Sequence, residues 1–288
     1  MSNWHIGIIG GSGLYEVEGV EGGEWVNVAS PWGEPSDAIF TGRLGHVRVS
    51  FLPRHGRGHR ISPSELNARA NIDCLKRLGV TDILSVSSVG GLQEERAPGT
   101  FTIVDQFIDR TKGRPSSFFG TGMVAHVSMA DPICPRLSAL AADAAEAAGA
   151  SVHRGGTCLV MEGPQFSTRA ESHLYRSWGC DVIGMTAMPE AKLAREAELP
   201  FAMVAMVTDY DCWREEEAAV DVAQVIAQLG ANATKARAMV LNLLRDLPAE
   251  RTASPIDTCL DTALITAPSV RDPELLAKLD AVAGRVLG

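Results

Sequence analysis

Seven segments of the chain carry enough apolar residues to be read as strands: HIGIIG (5–10), HVRVSFL (46–52), DILSVSS (82–88), FTIVDQF (101–107), GTCLVM (156–161), DVIGM (181–185) and FAMVAMV (201–207). Several are continuous apolar runs rather than alternating ones, the pattern of strands covered on both faces. Helix signals fall between them. SPSE offers Ser62 as an N-cap, Pro63 at the first helical position and Glu65 to close a capping box ahead of LNARANIDCLKRLG. CPRLSALAADAAEAAG opens with Pro135 and closes near Gly149, TRAESHLYRSWG ends at Gly179, and MPEAKLAREAEL has Pro189 in its first turn. The segment from Glu215 to Leu247 is long enough for two helices or for one bent near Gly230 and Ala231. Strands alternating with helices predict an α/β fold. After Leu247 the linker PAERTASP precedes two short helical patterns, which predicts a main body over 1–247. Residues 248–288 then form a short helical C-terminal extension that packs on the body or on a neighbouring subunit. No internal repeat or low-complexity segment is visible.

Composition narrows the class. With 288 residues, 45% hydrophobic and 21% charged, the chain can bury a full core. Its net charge of −9 argues against attraction to nucleic acid or an anionic membrane, so any anion must be held by a local cluster. No apolar run approaches the roughly 20 residues of a spanning helix, and MSNWHIGIIGG lacks the basic start of a signal peptide. The six cysteines are scattered with no metal-type spacing, which predicts reduced thiols, a cytoplasmic compartment and no metal site.

Candidate chemistry collects at strand ends. IIGGSGL (8–14) is either a tight turn or a cradle of backbone N–H groups and the Ser12 hydroxyl. It is no dinucleotide fingerprint, because Glu16 stands where the third glycine would be. PRHGRGHR (53–60) delivers arginines and histidines to the end of a strand, and arginine offers a planar fork matched to phosphate oxygens. SVSSVGG (85–91) combines hydroxyls with paired glycines, as a buried turn or as a place where a ligand meets backbone. In EGPQFSTRAES (162–172), Phe166 is a core residue or a ring that stacks on a flat ligand. GMTAMPE (184–190) brings the Thr186 hydroxyl and Met185, the latter ordinarily core filler. Finally VTDYDCW (207–213) places Asp209 and Asp211 two residues apart, where an extended backbone would turn both to one face. A solvated turn is the plain alternative. Hydroxyls, Arg/His and paired acids in one cleft suit a phosphate together with a polar heterocycle.

The stretches IGIIGGSGL, RHGRGHRISPSELNARANI, IVDQFIDRTKGRPSSFF, EGPQFSTRAES, GMTAMPEA and MVTDYDCW, in that order, resemble the trimeric branch of the purine nucleoside phosphorylases. Within that branch they are most similar to the phosphorylases of 5'-methylthioadenosine, from about Ile6 to Leu244. The resemblance implies a mixed central sheet flanked by helices, a homotrimer or a dimer of trimers, and no cofactor, inorganic phosphate being a co-substrate. Carried over residue by residue, it assigns phosphate to Ser12, Arg54, His55, Ser87, Ser88 and Thr186. The family more often has threonine where Ser12 stands and Thr-Ala where Ser87–Ser88 stands. It sets Met185 against the ribose and Phe166 beside the purine, and links Ser167 and Val222 to substrate preference. A neighbour's His126, with Val222, Val225 and Ile226, would shape the pocket for the 5'-methylthio group. Asp209 would protonate the departing purine at N7, and Asp211 would hold the 6-amino edge. A free aspartate with a pKa of about 3.9 is ionised at neutral pH, so this role requires burial beside Asp211 to raise it. Related 6-oxopurine enzymes carry asparagine at the Asp209 position, so the two acids favour adenine over a 6-oxopurine or methylthioinosine. A hydrolytic nucleosidase, a nicotinamide-dependent oxidoreductase and a non-catalytic nucleotide binder are the remaining alternatives.

Overall fold

The computed structural model describes residues 4–11, 14, 19–214 and 222–287, without the side chains of 222–227. Its strands are β1 (His5–Gly10), β2 (Glu21–Val26), β3 (Ile39–Leu44), β4 (Val47–Pro53), β5 (Asp82–Gly91), β6 (Thr100–Val104), β7 (Gln106–Arg110), β8 (Ser151–Arg154), β9 (Thr157–Met161), β10 (Val182–Gly184) and β11 (Phe201–Asp209). All belong to one mixed sheet, with a main path β2-β3-β4-β1-β5-β10-β9-β7 and a branch in which β11 joins β5 to β6 and β6 joins β8. The helices are α1 (Ala68–Arg77), α2 (Pro135–Ala147), α3 (Arg169–Ser177), α4 (Ala187–Glu196), α5 (Val222–Asp246), α6 (Pro273–Lys278) and α7 (Gly284–Leu287).

The strands covered on both faces lie where the apolar runs predict them, and the alternation of their side chains divides the core into two layers. On β11, Ala202, Val204 and Met206 join Leu137 and Ala141 of α2 and Met239, Val240 and Leu243 of α5. Phe201, Met203, Ala205 and Val207 face the other way, with Ile72 and Leu75 of α1 and Ala191, Leu193 and Ala194 of α4. Each Val, Leu, Ile, Phe or Met among them, fully buried, contributes on the order of 1.5–3 kcal/mol, and each alanine less.

The edges depart from the expectation. β2 is Glu21-Gly-Gly-Glu-Trp-Val, exposed along nearly its whole length, and four-residue β8 is exposed at both ends. Neither carries an apolar face for a sequence reading to find. FTIVDQF is two strands: the chain leaves β6 at Val104 and enters β7 at Gln106, and these pair with different neighbours. At the break, Asp105 accepts the Gly156 N–H at 3.1 Å.

Ser62 caps no backbone N–H; its hydroxyl donates to Glu65 Oε2 at 2.7 Å, and Pro63–Glu65 is only a 3-10 turn. The α-helix begins three residues further on, where Asn67 Oδ1 accepts the Ala70 N–H at 3.1 Å. α4 is irregular at Met188 (φ −110°, ψ 131°), so its regular turns start at Pro189. α5 is a single helix across Gly230; residues 215–221, the start of the expected helical stretch, lie outside the described residues.

Residues beyond 247 are tied to both layers. Leu260, Ala263, Leu279, Val282 and Ala283 are buried with the α1/α4 layer. Arg251 joins fully buried Asp82 at 2.5 Å to Asp257 at 2.6 Å, and Arg285 reaches Glu198 at 2.5 Å. Trp4 donates its indole N–H to the Pro248 carbonyl at 2.9 Å. Among the described residues no helix is long and apolar enough to cross a membrane.

Glu196, at the end of α4, accepts from Ser117 Oγ and from the Phe118 N–H, each at 2.7 Å. Burial nevertheless pushes its carboxyl up to about 7. A carboxyl raised in the folded state adds stability that is complete below its unfolded pKa and is lost as pH climbs through the folded value. Urea unfolding between pH 4.5 and 7 is therefore expected to show a decline of up to about 3 kcal/mol assignable to this group. Glu196→Gln removes that part of the slope.

Candidate active site

β5 organises the site. Its residues 82–85 pair with β1, and Gly90 and Gly91 pair with β10. The intervening Val86, Ser87, Ser88 and Val89, with Gly90, line a cavity of about 290 Å³. The carboxyl ends of β1, β4 and β11, which run parallel around β5, bring Gly11, Arg54, His55, Thr208 and Asp209 to the same space. β10 arrives from the opposite direction, antiparallel to β5, so the residues after it run back along the cavity: Gly184, Met185 and Thr186. Thr186 Oγ1 lies 3.3 Å from Ser87 Oγ. Two hydroxyls far apart in sequence therefore meet, as the recurrence of Ser/Thr at strand ends suggested.

Arg54 is 2% exposed, and its fork does not face the cavity. Nε donates to Glu190 Oε1 at 2.7 Å and Nη2 to Glu190 Oε2 at 3.1 Å. Nη2 also donates to Ser85 Oγ at 2.6 Å, and Nη1 to the Val86 carbonyl at 3.1 Å. The planar fork that matches an oxyanion is thus taken up by a carboxylate, as a buried guanidinium requires. His55 lies beside it. Its Nδ1 must donate to the Ile61 carbonyl, 2.9 Å away, since a carbonyl only accepts. Burial, and after it the Arg54 cation, push the ring down to about 4. At neutral pH the ring is thus uncharged, with Nε2 left as an acceptor. His59 stacks on it at 4.2 Å and also lines the cavity.

At the other end, Asp209 accepts from Thr208 Oγ1 at 2.7 Å and from the Asp211 N–H at 2.8 Å. The two acids do not share a face by strand alternation. The β5–β11 register shifts between Val207 and Asp209, β11 stops at Asp209, and Asp211 has a left-handed φ of 54°. A bulge and a side-chain-bonded turn bring them together instead. Both crowd Gly90, where a Cβ would stand 3.1 Å from Asp209 Oδ1 and 3.4 Å from Asp211 Cβ. Burial and repulsion from Asp209 raise the pKa of Asp211, whose buried Oδ2 has no hydrogen-bond partner among the described residues. Beyond the turn, Trp213 donates its indole N–H to the Gly91 carbonyl at 2.8 Å and packs under Arg176.

Apolar and aromatic walls complete the cavity. Phe166, 50% exposed, lines it with Met161, Ile183 and Met185. Gly163, at φ 69°, lets the chain pass Met185; a Cβ there would stand 2.5 Å from its Sδ. Ser167 is buried behind this wall, its hydroxyl 3.6 Å from Met161 Sδ. Leu229 and Ala233 of α5 close another side. Ser12 lies outside the described residues, between Gly11 and Leu14, which do line the cavity. The side chains of Val222, Val225 and Ile226 are likewise outside the description, although their backbone belongs to α5. His126 is exposed and does not line this chain's own cavity; its N–H bonds the Ala263 carbonyl at 2.9 Å. Among the described residues no cluster of His, Cys, Asp or Glu is placed to hold a metal ion. Sequence reasoning missed Glu190, Ser85 and Thr208. Glu190 sits inside a stretch that was singled out, but nothing local tells that it reaches back to Arg54.

Residues 5–245 match the sequence profile of the phosphorylase superfamily, and the chain belongs to that superfamily. It is 64% identical to the S-methyl-5'-thioadenosine phosphorylase of Cereibacter sphaeroides, over 98% of each chain. To that of Bradyrhizobium diazoefficiens it is 60% identical, again over 98% of each. A methylthioadenosine phosphorylase sourced from an antarctic soil metagenomic library superposes with a TM-score of 0.92 at 47% identity, covering 98% of this chain and 99% of that one. The methylthioadenosine phosphorylase of Schistosoma mansoni in complex with adenine gives 0.79 at 38% identity, covering 84% and 91%.

The His55 geometry has a direct spectroscopic check. Imidazole ¹⁵N shifts are expected to show this ring neutral and Nδ1-protonated from pH 6 to 8, gaining its second proton only near pH 4.

Proposed function

We propose that the protein catalyses the phosphorolysis of S-methyl-5'-thioadenosine, giving adenine and S-methyl-5-thio-α-D-ribose 1-phosphate for purine and methionine salvage. One observation carries the reading. A single cavity has hydroxyls, Arg54 and His55 at one end and the Asp209–Asp211 pair at the other, in a chain 64% identical to a phosphorylase of that nucleoside.

Inorganic phosphate is the co-substrate, held by Ser12, Ser87, Ser88, Thr186, His55 and one N–H of Arg54. The purine lies beside Phe166 and the ribose against Met185. A phosphate oxygen bonds to C1' as the C1'–N9 bond breaks, and the sugar passes through an oxocarbenium-like state. The electron pair of the broken bond goes to the purine, which takes a proton at N7. That proton comes from the acid pair: Asp209 presents it, and burial together with repulsion from Asp209 raises the pKa of Asp211 beside it. Asp211 then holds the 6-amino edge. Phosphate is itself the nucleophile, so positioning and electrostatics supply the catalysis, with no cofactor.

The protein acts as a cytoplasmic homotrimer, or a dimer of trimers, in which His126 of each subunit reaches a neighbour's cavity. His126 is exposed and does not line its own chain's cavity, which supports that arrangement. Ser167, Val222, Val225 and Ile226 tune the fit of the purine and 5' group. Residues 1–247 form the phosphorylase body and 248–288 an extension upon it.

Adenine release from methylthioadenosine is expected to require phosphate, to be slower with adenosine, and to be slower still with inosine. Release without phosphate would indicate a hydrolase. Asp209→Asn is expected to lower kcat/KM for methylthioadenosine by about 10²-fold or more in a steady-state assay, as loss of a general acid does.

A further inference from the structure

We propose that Glu190 is a positioning residue for the oxyanion end of the cavity: its carboxylate occupies the fork of Arg54 and leaves one Nη1 N–H to meet the oxyanion. The inference rests on the phosphorolytic reading above and concerns how its phosphate is held.

A guanidinium has five N–H donors. In Arg54, Nε and one Nη2 donor go to the two oxygens of Glu190, at 2.7 and 3.1 Å. The other Nη2 donor goes to Ser85 Oγ at 2.6 Å, with the Ile9 carbonyl at 3.4 Å, and one Nη1 donor goes to the Val86 carbonyl at 3.1 Å. One Nη1 N–H is left, on a residue that lines the cavity. Arg54 directly follows β4, Ser85 and Val86 lie on β5, and Glu190 lies on α4, so partners from two further elements fix the guanidinium plane. Ser85 Oγ lies 3.3 Å from Glu190 Oε2 and bonds both partners.

The charges matter as much as the directions. Both side chains are 2% exposed, so the Arg54 cation is cancelled inside the protein before any ligand binds. The oxyanion then meets directional donors rather than an unpaired buried cation. Without Glu190 the guanidinium would be free to turn its fork toward the oxyanion and would abandon the plane that Ser85 and Val86 set. Glu190 does not line the cavity, so it acts through Arg54 and touches no ligand.

The test is a split of Michaelis constants. Glu190→Gln keeps the size of the side chain but sets an amide N–H₂ against one Arg54 donor. In a variant whose circular dichroism matches the wild type, the KM for phosphate is expected to rise by about tenfold or more while the KM for methylthioadenosine stays within about twofold. An unchanged phosphate KM, or equal rises in both constants, overturns the proposal. Should the single variant not fold, two charge-free pairs decide: R54M/E190M and R54M/E190Q. Similar and strongly raised phosphate KM values in both are expected, because position 190 has nothing left to act on. A phosphate KM near the wild-type value in either pair, or about a tenfold gap between them, overturns it. Phosphate-independent adenine release by the wild type would instead refute the phosphorolytic reading.

Discussion

β5 must satisfy three partners along ten residues, and much else follows from that demand. Its first half is clamped between β1 and β11 and is buried on both faces, while its end meets β10 running the other way. Only small residues fit that end: a side chain on Gly91 would overlap the Arg96 carbonyl, and one on Gly90 would press on Asp209. The crowding that dictates glycine there also clears the floor of the cavity. Packing and site are in this strand a single constraint.

A second theme is local cancellation of charge in an acidic protein. Arg54 is met by Glu190, Asp82 by Arg136 and Arg251, and Arg114 by Glu162, each mostly out of water. Arg114 further donates to the Met185 and Met188 carbonyls at 2.7 and 3.0 Å and to the Glu162 carbonyl at 2.6 Å, so it binds the loops after β9 and β10 to each other. Buried pairs of this kind add little net stability over apolar packing, but removing one member is costly. They fix geometry. The walls of the cavity are accordingly held by residues that do not line it.

How far the sequence reveals this depends on the range of the interactions. β1, β5 and β11 are legible because burial on both faces fills them with apolar and small residues. β2 and β8 are not, because an edge strand is defined by its neighbour and not by its own side chains. Arg54, His55, Thr186 and the two acids are legible as strand-end chemistry, and they do converge. The orientation of the Arg54 fork is not, because Glu190 is 136 residues away. Nor is the bulge that brings Asp209 and Asp211 together, since a register shift depends on the partner strand. The Ser62 signal misleads because Ser62 and Glu65 satisfy each other and leave the backbone to Asn67.

The cations that complete Asp82 and Glu198 come from Arg251 and Arg285, which follow every strand in the chain. During synthesis every strand can therefore emerge while Asp82 of β5 and Glu198, just before β11, still lack those partners and the apolar seats of Leu279 and Val282 stand open. The α1/α4 layer is fully packed only once that stretch is in place, and a chain stopped short of it would expose apolar surface of the kind that chaperones shield.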